Sequence, residues 1–165
     1  MIVGVGSELT FEVIAAAYLF KKRVPELRVR VVNVTDLMIL AAGSVHPRAL
    51  KDDSFNSLFG EDVPVHFNYH GYAAELKGLL FGRPNMHRVT ISSYMEEGST
   101  TAPFNMMLLN ETSRFHAAIK AVIKAVEGGA KKNEKVRSKM PELVSELKSD
   151  MVETRRYIVE EKAGT

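Results

Sequence analysis

The chain has 165 residues and a mass of 18.4 kDa. That is the length of one ordinary domain, able to bury about 70% of the surface its unfolded form exposes. Apolar residues at 45% and charged residues at 25% exclude wholesale disorder, and 22 Lys plus Arg against 20 Asp plus Glu leaves only +2, too little to argue for a nucleic-acid or anionic-membrane partner. The absence of cysteine excludes a disulfide framework, a Cys-ligated zinc or iron–sulfur site and a cysteine nucleophile, and it fits a reducing cytoplasm.

No apolar run approaches the ~18 residues of a membrane span, and Met1-Ile2-Val3-Gly4 carries no basic leader pattern. The expectation is a soluble, cytoplasmic, single-domain chain over residues 1–165. Its α/β core would occupy 1–127, and a basic hinge with a C-terminal helix 128–165.

In chain order, residues 2–5 form a short β-branched run, and Gly6-Ser7-Glu8 reads as a turn. From Thr10, the apolar residues Val13, Ile14, Ala17 and Phe20 recur at helical spacing. Lys21, Lys22 and Arg23 complement the helix dipole, and Pro25 forbids continuation. A Val-rich strand over 29–34 completes a βαβ unit with parallel strands. Residues 35–42 read as irregular with one helical turn. Asp52 or Asp53 caps a short helix through Phe55, Leu58 and Phe59, closed by Gly60. A strand over 63–69, a helix over 72–80 and a strand over 87–92 follow.

Residues 95–103 read as a polar loop and 104–126 as mostly helical. Gly128-Gly129 and Lys131, Lys132, Lys135 and Arg137 make the basic hinge. Beyond Pro141 a long helix places Met140, Val144, Leu147, Met151, Thr154 and Ile158 on a heptad-like seam, too short for a coiled coil and suited to lying across the domain or a neighbour. The expected architecture is α/β, with four or five largely parallel strands and helices on both faces.

Gly4-Val5-Gly6-Ser7-Glu8-Leu9 begins like a dinucleotide fingerprint. Leu9 replaces the third glycine, however, so a tight strand-to-helix turn is preferred to a cofactor site, and Asp36 is at most a candidate ribose partner. The helix start remains able to hold an anion through its free N–H groups. His66 and His70 are four apart but not on a helix, and His116 lies five residues from Glu111, the wrong interval for a shared helix face. No metal site is expected.

Asn68-Tyr69-His70-Gly71-Tyr72 sits where a parallel strand ends, the place where open α/β sheets bind ligands. The same groups suit a domain interface. Arg83-Pro84-Asn85 offers a guanidinium on a rigid turn, for a phosphate or carboxylate, or simply a surface arginine. In Glu96-Glu97-Gly98-Ser99-Thr100-Thr101-Ala102-Pro103-Phe104, Thr100 or Thr101 is an N-cap candidate ahead of Pro103. The two glutamates can accept hydrogen bonds from a partner's loop, but as adjacent residues they make a poor catalytic dyad.

The opening Gly4-Val5-Gly6-Ser7-Glu8, with its helix and Val-rich strand, resembles the C-terminal domain of transketolase-like thiamine diphosphate enzymes. Val32-Asn33-Val34-Thr35-Asp36-Leu37-Met38, Phe67-Asn68-Tyr69-His70-Gly71-Tyr72, the stretch Glu96 to Phe104, Asn110 and Arg114-Phe115-His116 narrow the likeness to the phosphoketolase C-terminal domain. One hydroxyl is missing at Ala102, where many relatives carry threonine, and the Lys-rich stretch from Lys131 to Lys139 is not characteristic of the family.

The resemblance implies a parent that cleaves xylulose 5-phosphate, often also fructose 6-phosphate, with phosphate to acetyl phosphate, an aldose phosphate and water. It implies thiamine diphosphate and Mg²⁺ held by other domains, of which this chain would be the last fifth. It places no catalytic residue and no cofactor here. The interface or ligand-binding candidates are His70, Tyr72, Arg83, Glu96, Glu97, Ser99, Thr100, Thr101 and His116. The expected role is assembly with the remaining phosphoketolase domains and a second subunit, without turnover by this chain alone. Two rivals stand beside it: a regulatory module binding a phosphorylated effector or nucleotide through His70, Arg83, Ser99, Thr100 and Thr101, and a homodimer of the isolated chain.

Overall fold

Four β-branched-rich segments pair into one parallel sheet, because each is flanked by helices that bury both of its faces. In the computed structural model, which describes residues 1–43, 45–96, 98, 101–128 and 134–163 (159–163 by backbone only), β1 is Ile2–Val5, β2 Val31–Val34, β3 Val65–His70 and β4 Val89–Tyr94. The order is β2-β1-β3-β4, all parallel, with Gly4 paired to Asn33 and Asn68, and Asn68 to Ser92. β1 is wholly buried, whereas the edge strands β2 and β4 are half-exposed.

The helices are α1 (Ser7–Arg23), α2 (Asp52–Phe59), α3 (Ala73–Leu80), α4 (Pro103–Leu109), α5 (Arg114–Gly128) and α6 (Glu134–Ala163). α1, α5 and α6 cover one face around Ile2, Val13, Phe20, Val122 and Leu147. α2 and α3 cover the other around Val3, Phe55, Phe59, Phe67 and Leu80. Among the described residues, no helix is long and apolar enough to cross a membrane.

Several boundaries differ from the sequence expectation for physical reasons. α1 begins at Ser7 rather than Thr10, because Gly6 adopts φ 100 and turns the chain at once. β2 starts at Val31. Pro64 stays outside β3, where its carbonyl accepts from the Met1 ammonium at 2.8 Å. β4 starts two residues later than expected, after a 3₁₀ turn at Met86–Arg88 that follows left-handed Asn85.

The single helix expected over 104–126 is two helices. Asn68 of β3 captures the Thr112 carbonyl at 2.7 Å, Asn110 donates to the Met95 carbonyl, and Glu111 turns at φ 53. α6 begins at Glu134 and runs through Pro141, a residue that costs a helix interior about 3 kcal/mol. Burial of Val136, Leu143 and Leu147 offsets that cost, with Met140, Val144 and Met151 packed beside them. α6 therefore lies across its own domain, tied by Arg23 to Asp150 and by Lys139 to Glu26 at 2.9 Å. Of the expected hinge, Lys131 and Lys132 lie outside the described residues, and Lys135 and Arg137 belong to α6.

α1 is also rotated from the face its apolar spacing suggests: Val13 and Phe20 are buried, but Ile14 points outward. Glu12 takes the inward place. Its carboxylate accepts from the Arg114 backbone N–H and from both arms of the Arg114 guanidinium, joining α1 to the start of α5.

The contact that sets this rotation is the approach of α1 to β1. A Cβ at Gly4 would stand 2.6 Å from the Thr10 Cα, a backbone atom that cannot step aside. Gly4→Ala is expected to destabilise the fold by about 1–3 kcal/mol. In urea unfolding this should appear as a lower midpoint with an unchanged slope.

Candidate functional site

The strand order reverses between β1 and β3, and in open parallel sheets the crevice beyond their carboxyl ends is where ligands bind. Here Gly6 follows β1 and His70 ends β3. A Cβ on Gly6 would lie 2.7 Å from the His70 Cβ, so the glycine is what lets the imidazole fold over the turn. His70 Nδ1 stands 3.4 Å from a Glu8 carboxylate oxygen, and its ring meets Tyr94 edge-on at 4.8 Å. The Gly71 N–H donates to the Tyr94 carbonyl at 3.0 Å, which anchors the turn to the end of β4.

The electrostatics of this rim are acidic. A hydrogen bond from its own backbone N–H at the helix start lowers the Glu8 pKa, burial opposes this, and His70 and Ser7 add to the lowering. Burial first, then the charge and hydrogen bond of Glu96, and then Glu8, push the Tyr94 phenol up. Next to it, the Tyr69 hydroxyl donates to Glu75 at 3.1 Å and Glu75 accepts from the Tyr72 N–H at 3.3 Å, which caps α3. Tyr72 itself is exposed. The structure thus gathers Glu8, His70, Tyr94 and Glu96 and leaves Tyr72 at the edge. Such a rim can accept hydrogen bonds or a cation from a partner.

The other candidates fall elsewhere. Arg83 is expected on a phosphate or carboxylate, or at the surface. It is buried instead, donating to the carbonyls of Leu40, Ile39, Ala41 and Leu50 and to Asp52 at 2.7 Å, above the Phe55 ring. It clamps the segment between β2 and α2. Thr101 accepts from the Asn105 side chain at 2.8 Å and does not cap α4, whose N-cap is Ala102 with Pro103 first in the helix. Glu97, Ser99 and Thr100 lie outside the described residues. Leu9, read against a third glycine, is buried against Tyr94, Met106 and Met107, and the close helix–strand approach falls at Gly4. Asp36 accepts from the Met38 N–H and pairs with Arg48 at 3.0 Å.

Sequence reasoning missed a polar layer beneath α5. Asn33, Gly4, Asn68 and Ser92 form one row across all four strands. Thr10 donates to Asn33 at 3.0 Å and Lys120 to Ser92 at 2.8 Å. Lys120 also pairs with Glu111 at 2.9 Å, close to His116, whose Nδ1 meets the Ser113 hydroxyl at 2.8 Å. Burial first, then Lys120, hold the His116 pKa down, against Glu111. The turn at 110–113 brings Glu111 near His116 despite the unfavourable interval. The available signals were the i, i+4 pair His116–Lys120 and the alternation of His66 with Asn68 and of Thr90 with Ser92. His66 is buried, bonded through Nδ1 to Thr90 at 2.9 Å. Among the described residues no group of three or more His, Asp or Glu side chains could hold a metal ion.

Comparison with known proteins gives one consistent result. The model of the XFP C-terminal domain family matches residues 1–164. A probable phosphoketolase of Schizosaccharomyces pombe is 56% identical over 118 residues, covering 72% of this chain and 14% of the relative. A probable phosphoketolase of Bradyrhizobium diazoefficiens is 41% identical over 166 residues, covering 96% of this chain and 21% of the relative. A probable phosphoketolase 2 of Rhizobium meliloti is 46% identical over 121 residues, 73% of this chain and 15% of the relative. The chain therefore spans 14–21% of the length of these relatives.

Two predictions follow from the buried groups. Arg83→Ala strands the carbonyls that accept from it, while the exposed Asp52 returns to water, and should cost about 2–4 kcal/mol in urea unfolding. Arg83→Lys should not restore it, since one ammonium cannot reproduce the fork. Burial first, then Lys120 and the N-terminal charge, lower His66 from 6.5 to about 3. The unfolded chain then binds the extra proton between those values, so stability climbs as pH rises from about 3 to 6.5. The climb should be shallower in His66→Gln.

Proposed function

Because the chain belongs to the XFP C-terminal domain family, we propose that it is the assembly domain of a phosphoketolase, joining the remaining domains and a second subunit without turnover of its own. The parent reaction would cleave xylulose 5-phosphate, and often fructose 6-phosphate, with phosphate to give acetyl phosphate, an aldose phosphate and water. Thiamine diphosphate and Mg²⁺ would be held by other parts of the longer protein. That chemistry needs a dry, preorganised site.

The observation that carries this reading is the state of the sheet's carboxyl end. Among the described residues there, Glu8 pairs with His70 and Glu96 interacts with the Tyr94 hydroxyl. A diphosphate or sugar phosphate would meet carboxylates there, and the guanidinium that could have attracted one is committed to backbone carbonyls. An acid-lined, internally paired rim fits a partner's N–H groups or cations better than it fits a phosphorylated ligand.

The test is a thermal-shift series with phosphate, sugar phosphates, adenine nucleotides and thiamine diphosphate with Mg²⁺. It is run beside an assay for acetyl phosphate, trapped as the hydroxamate. The expected result is no rise and no product. A ligand at 100 times its dissociation constant would add about 2.7 kcal/mol and raise the melting temperature by roughly 5–10 °C. Such a rise would favour the regulatory reading, and product would overturn the assembly reading.

A further inference from the structure

The order β2-β1-β3-β4 leaves β4 with a neighbouring strand on one side only. In a parallel ladder every second residue of such a strand turns its N–H and C=O away from its partner. Among the described residues, no backbone bond made outside the helices and the ladder involves residues 90–93. Edges of this kind are usually blunted by lysine, proline, a bulge or an early end. β4 has none of these. Its register with β3 is unbroken over six residues, and Val89-Thr90-Ile91-Ser92-Ser93-Tyr94 is uncharged and rich in β-branched side chains.

An apolar groove lies beside this edge. Val89 and Ile91 turn to the side covered by α2 and α3, where they are half-buried against the Phe67 cluster. With Leu80, Phe81 and Met86 they line a hollow of about 480 Å³. Phe81, at the end of α3, is 84% exposed, the most exposed large apolar side chain among the described residues. Lys77, one turn earlier, completes the wall, and its ammonium has no ion-pair partner among the described residues. Arg83 also borders the hollow, but its guanidinium is committed to carbonyls and Asp52.

Edge and groove together select the occupant. A lipid chain or a small apolar ligand would fill the hollow and leave the edge unpaired. A helix has no free N–H or C=O groups along its length to offer. An extended polypeptide meets both needs. Its backbone continues the ladder, and its alternate side chains, about 7 Å apart, enter the groove beside Val89 and Ile91. The free ammonium of Lys77 favours a carboxylate at one end of that apolar alternation.

We propose that β4 is a docking edge for an extended segment of a separate protein, apolar at alternate positions and carrying an Asp or Glu toward Lys77. One added strand buries less than the ~1,200 Å² of a standard interface, so the contact suits reversible docking rather than permanent assembly. The inference goes beyond the assembly reading, which concerns the carboxyl end of the sheet.

The probe is a fluorescein-labelled peptide of eight residues, valine alternating with threonine and a glutamate at one end. It is titrated with the 165-residue chain and followed by fluorescence anisotropy. Saturable binding is expected. With free peptide at ten times its dissociation constant, hydrogen exchange at the outward amides of 90–93 should slow about tenfold. Exchange in α6 should not change. Phe81→Ala and Lys77→Glu should each weaken binding about tenfold. Both side chains are exposed, so the melting temperature should stay where it is. A peptide with lysine in place of the glutamate should prefer Lys77→Glu to the wild type. Two further peptides carry methyl groups on alternate backbone nitrogens, in complementary sets. One set should abolish binding, because its donors face β4, and the other should preserve it.

No saturable binding up to millimolar peptide, binding untouched by Phe81→Ala, or a charge swap that fails each overturns the proposal. Equal affinity of the two methylated peptides also overturns it and makes the groove a site for apolar ligands at large. A mass that doubles with concentration and returns to 18.4 kDa with peptide gives the edge to a second copy instead. Acetyl phosphate or a ligand-dependent melting rise would bear on the assembly reading alone.

Discussion

The contact between Thr10 and Gly4 fixes most of what lies above it. With no side chain at Gly4, α1 settles directly on β1, and the Thr10 hydroxyl bonds to the Gly6 carbonyl at 2.8 Å and to Asn33 at 3.0 Å. Those bonds set both the height and the rotation of the helix. Glu12 then faces the start of α5, Glu8 comes beside His70, and Phe11, Ile14 and Tyr18 are left outside. The acidic rim and the apolar seam are two consequences of one close approach.

The two faces of the sheet are held by different physics. Toward α2 and α3 the contact is apolar packing, with Phe55, Phe59 and Phe67 in successive ring contacts. Toward α1 and α5, a hydrogen-bonded row from Asn33 to Ser92 lies beside the apolar cluster. Buried polar groups are costly unless paired, and each pairing here also specifies a position. Asn68 decides where α4 stops and α5 starts, and Lys120 fixes α5 over β4. Slipping β3 by one residue would turn Asn68 into the aromatic layer.

This division bears on how the domain would serve a larger enzyme. The turns at the sheet's carboxyl end are held in place by Glu75 and by the Gly71 bond to Tyr94. On the proposed assembly reading, a platform of that kind would hold its partners in one geometry, which is what a preorganised active site needs from its surroundings. The polar groups are mostly spent within the domain.

Local chemistry in the sequence determined a good part of this structure. The β-branched run of β1, the Gly60 that ends α2 at φ 69, the helix start at Pro103 and the parallel βαβ unit were all legible, because each depends on neighbours in the chain. The likeness of several ordered motifs to the phosphoketolase C-terminal domain was legible in the same way, and the family comparison agrees with it. Arg83 looked like a surface cation and became a buried clamp. Ile14 looked like core and became surface, while Glu12, outside the apolar spacing, is buried in its place. Residues 104–126 looked like one helix and became two. In each case the deciding partner is remote: Ile39 to Asp52 for Arg83, Arg114 for Glu12, and Asn68 for the break at Thr112. Periodicity and turn residues fix which elements form, since those are local energies. Which polar group is buried, and which apolar face is left bare, depends on hydrogen-bond partners that only the tertiary structure brings within reach.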